Sequence, residues 1–281
     1  MRWMVTGAGG MLGTDLVDRL RAGGHDVAAL ARADLDLRAS GAVRDAVRRI
    51  RPEVVVNCAA WTAVDDAETR EDAALAVNGT AVGVLAEECA RHGARLVHIS
   101  TDYVFDGRGE APYPEDAPTA PVNAYGRTKL AGERAVLATG QGYVLRTAWL
   151  YGAHGPNFVR TMIRLAGESD TVEVVDDQRG QPTWTGALAE RIVALGRSDA
   201  PAGVYHATGA GSTTWYGLAR EVFTLLGLDP GRVRPTTGDA FRRPAPRPAY
   251  GVLGHDRWAE AGMEPMRHWR DMLHKAWPVL R

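Results

Sequence analysis

The stretch Gly7-Ala8-Gly9-Gly10-Met11-Leu12-Gly13 decides the fold of this 281-residue chain. A short apolar run, residues 2–6, precedes it, and a helical pattern of apolar residues follows it. Strand, glycine turn and helix occur in this order in dinucleotide-binding proteins. The glycines allow a tight turn close to a pyrophosphate, and the helix N-terminus presents N–H groups to that anion. The stretch therefore predicts a dinucleotide site.

The spacing of the glycines assigns their roles. A G-x-G-x-x-G pattern that begins at Gly7 requires glycine at position 12, where this chain has Leu12. The working triplet is therefore Gly7, Gly10 and Gly13. An ordinary glycine-rich turn is the alternative, and the position between a strand and a helix disfavours it.

Beyond this turn, apolar strands alternate with amphipathic helices, as in a parallel sheet covered by helices on both faces. Strands are predicted at residues 26–30, 54–56, 95–99, 143–147, 172–175 and 204–207. Helices are predicted at residues 43–50, 73–91, 124–137, 187–195 and 214–226, and from about residue 266. Asn78 is interpreted as a helix surface residue, and Thr185 as the cap of the helix that follows it.

This pattern predicts an α/β chain, a Rossmann doubly wound parallel sheet with a smaller C-terminal α/β substrate domain. Residues 1–150 are predicted to form the NADP(H)-binding Rossmann domain, and a later strand within residues 172–207 returns to it. Residues 151–281 are predicted to form mainly the domain that binds the substrate.

The end of the second strand bears on the choice of cofactor. The acidic residue that usually binds a ribose 2′-hydroxyl is absent there, and Arg32 takes its place. An arginine at this position suits a 2′-phosphate, so NADPH is predicted, with NADH as the alternative. A solvated loop arginine is the other interpretation. Asp36 and Leu37 follow in the loop and are expected to flank the adenine.

The segment Tyr125-Gly126-Arg127-Thr128-Lys129 carries the predicted chemistry. The chain has only two lysines, Lys129 and Lys275, and its other basic residues are arginine, which indicates a task that arginine does not perform. Lys129 lies four residues after Tyr125, so the two share a helix face. A nearby ammonium lowers the pKa of a tyrosine, which predicts Tyr125 as a proton donor. A surface tyrosine and a solvated lysine are the alternative.

Two further segments are expected to meet the substrate. The fourth strand ends near Thr101, at the sheet edge where open parallel sheets bind ligands, so its hydroxyl is predicted to bind a substrate carbonyl. Residues 229–248 contain five prolines and several arginines: Arg232, Arg234, Arg242, Arg243 and Arg247. These arginines are predicted either to bind a diphosphate or to form a solvated basic loop.

Composition excludes several classes of protein. The formal net charge is −1 with mixed charges along the chain, so neither a nucleic-acid partner nor a membrane partner is expected. No apolar run approaches the roughly 18 residues of a membrane span. Cys58 and Cys89 have no paired spacing and the glycine turn comes too early for a signal peptide, so we expect free thiols and a cytoplasmic location. The eight histidines show no metal-ligand spacing, and no bound metal is expected.

Several separated motifs together resemble the extended short-chain dehydrogenase/reductases. They are Thr6-Gly7-x-x-Gly10-x-x-Gly13, Ser100-Thr101-Asp102-Tyr103-Val104-Phe105-Asp106-Gly107 and Tyr125-Gly126-x-Thr128-Lys129. Within that group, the runs at residues 51–60, 146–149 and 177–183 are similar to the dTDP-4-dehydrorhamnose reductases. The resemblance covers nearly the whole chain.

The resemblance implies NADPH or NADH in a Rossmann domain and a dTDP-sugar in a smaller C-terminal domain. It places Gly10, Met11 and Leu12 at the pyrophosphate, Asp36 and Leu37 beside the adenosine, and Ala60, Trp61 and Thr62 along the dinucleotide. It places Thr101, Asp102, Tyr125, Lys129 and Trp149 at the sugar. Thr101, Tyr125 and Lys129 form the implied catalytic site, to which Asp102 is added. Tyr125 and Lys129 are also expected to bind the cofactor, Lys129 through the nicotinamide ribose.

Two departures from the family pattern limit what is carried over. The late Arg-Pro-x-x-Ser-x-Leu motif begins here at Arg247, and its serine is replaced by Gly251. Some members are dimers held by Mg²⁺ through glutamates near the first helix and at Glu190. Asp15 stands at the first of these positions, so neither the metal nor the dimer is carried over, and either a monomer or a homodimer is expected.

The predicted function is NADPH-dependent reduction of the 4-keto group of a dTDP-4-keto-6-deoxyhexose. A nucleotide-sugar 4-epimerase or dehydratase is one alternative, although dehydratases follow the Asp102 position with glutamate where this chain has Tyr103. A non-catalytic NADP-binding regulatory subunit is the other, and such relatives have usually lost part of the tyrosine–lysine site. The sequence does not decide the sugar or its stereochemistry at C4.

Overall fold

Twelve strands and eleven α-helices make up the computed structural model, which describes residues 1–281. The strands are β1 Arg2–Thr6, β2 Asp26–Leu30, β3 Val54–Asn57, β4 Arg95–Thr101, β5 Tyr143–Thr147, β6 Leu150–Tyr151, β7 Val172–Val175, β8 Arg179–Gly180, β9 Thr183–Trp184, β10 Gly203–His206, β11 Thr213–Thr214 and β12 Val233–Thr236. The helices are α1 Met11–Ala22, α2 Ser40–Ile50, α3 Val64–Ala67, α4 Glu71–Leu75, α5 Ala81–Arg91, α6 Ala124–Leu137, α7 Phe158–Glu168, α8 Thr185–Arg197, α9 Trp215–Leu225, α10 Asp256–Glu260 and α11 Trp269–Leu280.

Six parallel strands form the central sheet in the order β10-β5-β4-β3-β1-β2. Strand β1 lies between β2 and β3, and its Val5 pairs with Ala29 on one side and Val56 on the other. The chain therefore winds outward in both directions from β1, and the carboxyl ends of β1 and β3 flank the switch point where open sheets bind ligands. This sheet confirms the predicted Rossmann fold class.

Both faces of the sheet are covered by apolar side chains. Trp3 and Val5 point to one face and pack with residues of α1 and α8, whereas Met4 points to the other and packs with residues of α2 and α5. Successive side chains of a strand point to opposite faces, so a continuous apolar strand indicates burial on both sides. The central sheet is therefore buried on both faces.

A separate apolar core lies in the C-terminal half. It joins side chains of α7, α9 and α11 to the parallel pair β7 and β12, in which Val172 pairs with Val233. Strand β10 is an edge strand of the central sheet, paired with β5 through Val204 and Val144. The division of the chain near residue 150 into a cofactor-binding and a substrate domain stays a prediction. None of the helices combines the length and the apolar character that crossing a membrane requires.

Two local predictions are wrong. The helix predicted at residues 73–91 contains a π-helical turn, Ala76–Thr80, and Asn78 in that turn is fully buried, not on the surface. Thr185 does not cap α8: it is the first residue of that helix, and its hydroxyl faces two acceptors, the Asp15 carboxylate and the Tyr151 carbonyl, and donates its one hydrogen to either of them. Both residues bond partners far away in sequence, which local patterns do not reveal.

Candidate active site

The glycine turn brings β1 into close contact with the end of β3. Gly7 has φ +68°, and a Cβ added to it would lie 2.5 Å from the Ala59 nitrogen. A Cβ on Gly13 would overlap the Gly7 carbonyl oxygen. Both positions therefore require glycine, because a side chain at Gly7 would clash with the main chain after β3 and one at Gly13 would push α1 away from the turn.

Helix α1 presents unoccupied donors at this turn. Its N-cap is Gly10, no side chain caps it, and no acidic residue lies in its first turn. Met11 and Leu12 begin the helix. The free N–H groups and the positive end of the helix dipole fit an anion such as a dinucleotide pyrophosphate.

The loop after β2 brings together a charged pair. Arg32 is exposed, and Asp36 binds Arg38 with Oδ2 2.6 Å from Nη2, which lowers the pKa of Asp36 to about 2. The side chain of Leu37 is buried in the core. Arg38, which the sequence patterns do not single out, is the ion-pair partner of Asp36 in this loop.

The segment after β3 is held by Asn78. The Trp61 N–H donates to Asn78 Oδ1 at 2.8 Å, and Asn78 Nδ2 donates to the Trp61 carbonyl and to Thr128 at 3.1 Å each. Ala60 is half-buried and Thr62 is exposed beside it. Asn78 thus fixes the main chain predicted to run along the dinucleotide, a role that sequence analysis did not assign to it.

Tyr125 and Thr101 meet at the carboxyl edge of the sheet. Tyr125 lies in the first turn of α6, whose N-cap Asn123 accepts the Gly126 N–H at 2.8 Å. The ring of Tyr103 packs edge-on against Tyr125 with centroids 5.7 Å apart. Burial raises the pKa of Tyr125, Asp102 raises it further, and a hydrogen bond with the Thr101 hydroxyl acts in the opposite direction.

Lys129 does not act on Tyr125 as predicted. Its Nζ donates to the Ile99 carbonyl at 2.7 Å and lies 3.2 Å from His98 Nε2, beneath the sheet edge. Burial is the main cause that lowers the pKa of Lys129 to about 8. The prediction that Lys129 lowers the pKa of Tyr125 is therefore wrong in this structure, because burial raises that pKa and Lys129 does not contribute.

Asp102 is buried between Thr101 and Gly251. The Thr101 hydroxyl donates to Asp102 Oδ1 at 3.0 Å, and burial raises the pKa of Asp102 to about 7. A Cβ on Gly251 would lie 2.5 Å from Asp102 Oδ2. Glycine at the position where related proteins have serine therefore leaves room for the Asp102 carboxyl group as it is placed here.

A cavity of about 810 Å³ opens beside Tyr103. Its walls include Phe158, Trp215 and the arginines Arg242, Arg243 and Arg247. Arg247 binds Asp65 of α3, with Nη2 3.0 Å from Oδ1, and so joins the late loop to α3. The cavity therefore combines an aromatic wall with three guanidinium groups.

Trp149 supports the aromatic wall of this cavity. It has φ +46°, unusual for a residue other than glycine, and its ring stacks on Trp215 with centroids 3.6 Å apart. Gly180 allows this conformation, because a Cβ there would lie 2.5 Å from the Trp149 ring. Such strained backbone persists only where its surroundings hold it.

Arg232 lies away from the predicted diphosphate site. It donates to the carbonyls of Ala166, Ser169 and Asp170, around the end of α7. Arg232 therefore stabilises a helix end, and only the later arginines of residues 229–248 line the cavity.

Comparison with known proteins identifies close relatives. The sequence profile of a family described as "RmlD substrate binding domain" matches residues 1–280. A Streptomyces antibioticus protein named "Probable dTDP-4,6-dihydroxy-2-methyloxan-3-one 4-ketoreductase" is 60% identical over 99% of this chain and 95% of its own length. A dTDP-4-dehydrorhamnose reductase of Streptomyces griseus is 58% identical over 99% of this chain and 94% of its own.

A solved structure shows the same fold with a nucleotide bound. The dTDP-4-dehydrorhamnose reductase of Bacillus anthracis, in complex with NADP, superposes with a TM-score of 0.95 and is 36% identical, covering 99% of this chain and 98% of its own. The likeness extends through both the central sheet and the C-terminal half.

Proposed function

This chain belongs to the family of the RmlD substrate binding domain, and on that premise we propose that it reduces the 4-keto group of a dTDP-4-keto-6-deoxyhexose with NADPH. The first candidate reaction converts dTDP-4-dehydro-L-rhamnose to dTDP-L-rhamnose, and a related deoxysugar of natural-product biosynthesis is the second. The observation that carries the proposal is the placement of Thr101 at the end of β4 and of Tyr125 in the first turn of α6, where Tyr125 packs on Tyr103, a residue of the cavity wall.

The residues at the switch point fit a nicotinamide dinucleotide. The glycine turn and the uncapped N-terminus of α1 would hold the pyrophosphate, with Gly7, Gly10 and Gly13 giving the close approach. Asp36 and Arg38 lie where the adenosine ribose is expected, and Arg38 joins Arg32 as a cation for a 2′-phosphate. When bound, the cofactor supplies the hydride that reduces the carbonyl carbon. NADH is the alternative donor.

Thr101 and Tyr125 act on the carbonyl oxygen as negative charge develops there. Donors fixed in advance at such a position usually contribute the largest share of catalysis. The raised pKa of Tyr125 keeps its phenol protonated at neutral pH, so it holds a proton to transfer. An alkoxide is a stronger base than a phenolate, and the transfer is therefore favourable without a lowered pKa.

Asp102 controls which way the Thr101 hydroxyl points. With a pKa raised to about 7, Asp102 carries a proton at lower pH and then donates to Thr101. Thr101 thereby keeps its own hydrogen for the carbonyl oxygen, since a hydroxyl donates only one. The ionised Asp102 instead accepts that hydrogen. Asp102 is in this scheme a positioning residue.

The lining of the cavity supports recognition of a nucleotide sugar. Arg242, Arg243 and Arg247 offer planar forks that match diphosphate oxygens, and Trp215 with Phe158 offers faces on which a base packs. Trp149 orients this wall by stacking on Trp215. We assign residues 151–281 mainly to binding the dTDP-sugar and residues 1–150 to the cofactor, with β10 completing the sheet.

The competing functions lack support at the same positions. Tyr103 occupies the position of the dehydratase glutamate and packs on Tyr125. A regulatory subunit without catalysis has no use for a buried lysine and two hydroxyls at the sheet edge. An epimerase retains its cofactor through the cycle and shows no net oxidation. We further propose that the enzyme is cytoplasmic, because both its cysteines are free thiols. Its expected oligomeric state is a monomer or a homodimer.

The test is the stoichiometry of cofactor oxidation with a small panel of dTDP-4-keto-6-deoxy sugars. NADPH absorbance is expected to fall by one equivalent for each equivalent of 4-hydroxy product, which NMR of the product identifies. The same panel with NADH measures the cofactor preference. Product that forms without NADPH consumption would instead identify an epimerase or a dehydratase.

A further inference from the structure

The cavity beside Tyr103 draws almost all of its wall from the C-terminal half of the chain. Tyr103 is the only residue of that wall that precedes residue 150. The carbonyl group to be reduced belongs on this side, because Tyr103 packs on Tyr125. The nucleoside of a dTDP-sugar would therefore occupy the part of the cavity that the C-terminal half lines alone. The proposed function assigns no residue to the edge of its base.

One side chain in that part of the cavity has unused hydrogen-bonding groups. Gln178 lies between β7 and β8, is half-buried and lines the cavity. Its neighbours are engaged: Asp177 accepts the Gly238 N–H at 2.8 Å, and Arg179 donates to the Ser212 hydroxyl at 3.2 Å. The Gln178 carboxamide has no partner within the chain, so its oxygen and its NH₂ group are both free for a ligand.

The strand pairing places Gln178 at the aromatic wall of the cavity. Strands β8 and β11 are antiparallel, with Arg179 opposite Thr214. The next residues along the two segments are Gln178 and Trp215, and both line the cavity. Opposite residues of an antiparallel pair have neighbouring side chains. The carboxamide and the indole ring therefore belong to the same part of the wall.

The turn Gly238–Phe241 adds an exposed aromatic ring near Gln178. A Cβ added to Gly238 would lie 3.2 Å from Gln178 Nε2, so the turn lies against the carboxamide. Phe241 ends this turn and is 44% exposed, and it is the only large exposed hydrophobic side chain of the protein that lines the cavity. An open apolar ring near a free carboxamide fits a planar heterocycle, which covers the ring with its face and meets the amide with its edge.

The base of a dTDP-sugar has the matching edge. Thymine carries an N3–H donor between two carbonyl acceptors, and a carboxamide offers one acceptor and one donor side by side. We propose that Gln178 binds this edge, with Oε1 accepting from N3–H and Nε2 donating to a neighbouring carbonyl, while Phe241 covers the face of the base. This assignment rests on the proposed function, which supplies the dTDP-sugar.

The other polar side chains in this part of the wall do not offer the same pair of groups. Thr161 already donates its hydroxyl hydrogen to the Asn157 carbonyl at 3.0 Å. Carboxylates only accept, and the guanidinium and indole groups only donate. Gln178 is the single carboxamide of the wall. It is thus the side chain that can satisfy both the donor and the acceptor of the base edge.

The assignment of Gln178 is tested by binding two nucleotides that differ at one position of the base. They are dTDP and its N3-methyl analogue, in which a methyl group replaces the N3 hydrogen. Isothermal titration calorimetry in the presence of NADP⁺ gives both dissociation constants for the unmutated protein and for Gln178→Met, which has a similar shape and neither hydrogen-bonding group. The unmutated protein should bind dTDP at least about ten-fold more tightly than the analogue. In Gln178→Met, dTDP should bind about ten-fold more weakly and the ratio should fall to about one.

Gln141→Met is the matched control, since Gln141 is exposed and lies outside the cavity wall. It should leave both dissociation constants unchanged. Thermal unfolding checks that each variant folds, and Gln178→Ala replaces Gln178→Met if the protein does not accept methionine there.

The role of Phe241 is tested with the same two nucleotides. Phe241→Leu keeps an apolar side chain and removes the planar ring, so both nucleotides should bind at least about three-fold more weakly with their ratio unchanged. Unchanged affinities in this variant would overturn the role assigned to Phe241.

Two outcomes overturn the role of Gln178. One is the same ratio of dissociation constants in the unmutated protein and in Gln178→Met, which would assign the base edge to other groups. The other is equal binding of the two nucleotides by the unmutated protein, which would leave the edge unbound. In both cases dTDP still binds, so the proposed function stands. An unmutated protein that binds neither nucleotide would contradict the proposed function as well.

Discussion

At the scale of single residues, burial sets the protonation of the site more than neighbouring charge does. Asp102 is 4% exposed, and burial is the largest cause of its raised pKa. Tyr125 is shifted upward for the same reason, and Lys129 downward. Burial therefore shifts each of these groups toward its neutral form.

Asp102→Asn tests the influence of burial on protonation, because burial raises the pKa of Asp102 to about 7. The folded protein holds a proton on Asp102 up to about pH 7, whereas the unfolded chain releases it near 3.8. As the pH rises from about 4 to about 7, the unmutated protein should therefore lose stability compared with the variant. Its free energy of unfolding should fall by up to about 1.4 kcal/mol per pH unit. Urea denaturation at pH 5, 6 and 7 measures it.

Asp106→Asn is the matched control for that comparison. Asp106 is exposed enough to stay ionised, and a hydrogen bond from Arg108 N–H lowers its pKa. Its variant should show no change in relative stability between pH 5 and 7. If the difference in free energy of unfolding between Asp102→Asn and the unmutated protein also stayed constant from pH 5 to 7, Asp102 would be ionised over that whole range.

At the scale of elements, the close approach of α1 to the glycine turn positions the N–H groups that are proposed to bind the cofactor. Helix α1 starts at Met11, directly after the turn, and Gly13 in its first turn contacts the Gly7 carbonyl. The helix dipole and its free N–H groups are useful only if this distance is kept. The turn and helix therefore act as a unit.

Two helical glycines provide a matched test of that unit. Gly13→Ala in α1 places a Cβ against the Gly7 carbonyl and should cost about 2 kcal/mol or more and weaken NADPH binding. Gly41→Ala in α2 meets nothing within 4 Å and should be neutral or stabilising by at most about 1 kcal/mol. Denaturant unfolding and cofactor titration measure both. Equal behaviour of the two variants would refute the requirement for glycine at position 13.

Elements with local signals were predictable from sequence, and the contacts that complete the site were not. Helix α6 and strand β5 have the predicted bounds, because an Asn123 cap and an apolar run mark them locally. The burial of Asn78 depends on Thr128, fifty residues away in sequence. The fit of Gly251 against Asp102 is likewise non-local. The pKa of Tyr125 was predicted in the wrong direction because burial is invisible in a helix pattern.

At the scale of the whole molecule, the late loop of residues 242–249 joins the two halves of the site. Asp65 of α3 accepts the Ala245 N–H at 3.2 Å and pairs with Arg247 at 3.0 Å and Arg243 at 3.5 Å. The same arginines line the cavity. The cofactor side of the molecule thus holds the groups expected to bind the diphosphate.

Asp65→Asn should loosen this connection and act on binding more than on chemistry. We expect KM for the dTDP-sugar to rise about ten-fold, equivalent to about 1.4 kcal/mol, with kcat nearly unchanged. Asp66→Asn, which removes only an exposed pair with Arg70, is the control and should change neither value. A fall in kcat without a change in KM would contradict this role for the loop.

The central claim is that Tyr125 gives its proton to the carbonyl oxygen as hydride arrives. It is tested most directly by the single-turnover rate of NADPH oxidation in Tyr125→Phe, with Tyr216→Phe on α9 as the control. Phenylalanine fills the same space without the hydroxyl, so the account predicts unchanged folding and NADPH affinity and a rate lower by about three orders of magnitude or more. A rate close to that of the unmutated enzyme would contradict it.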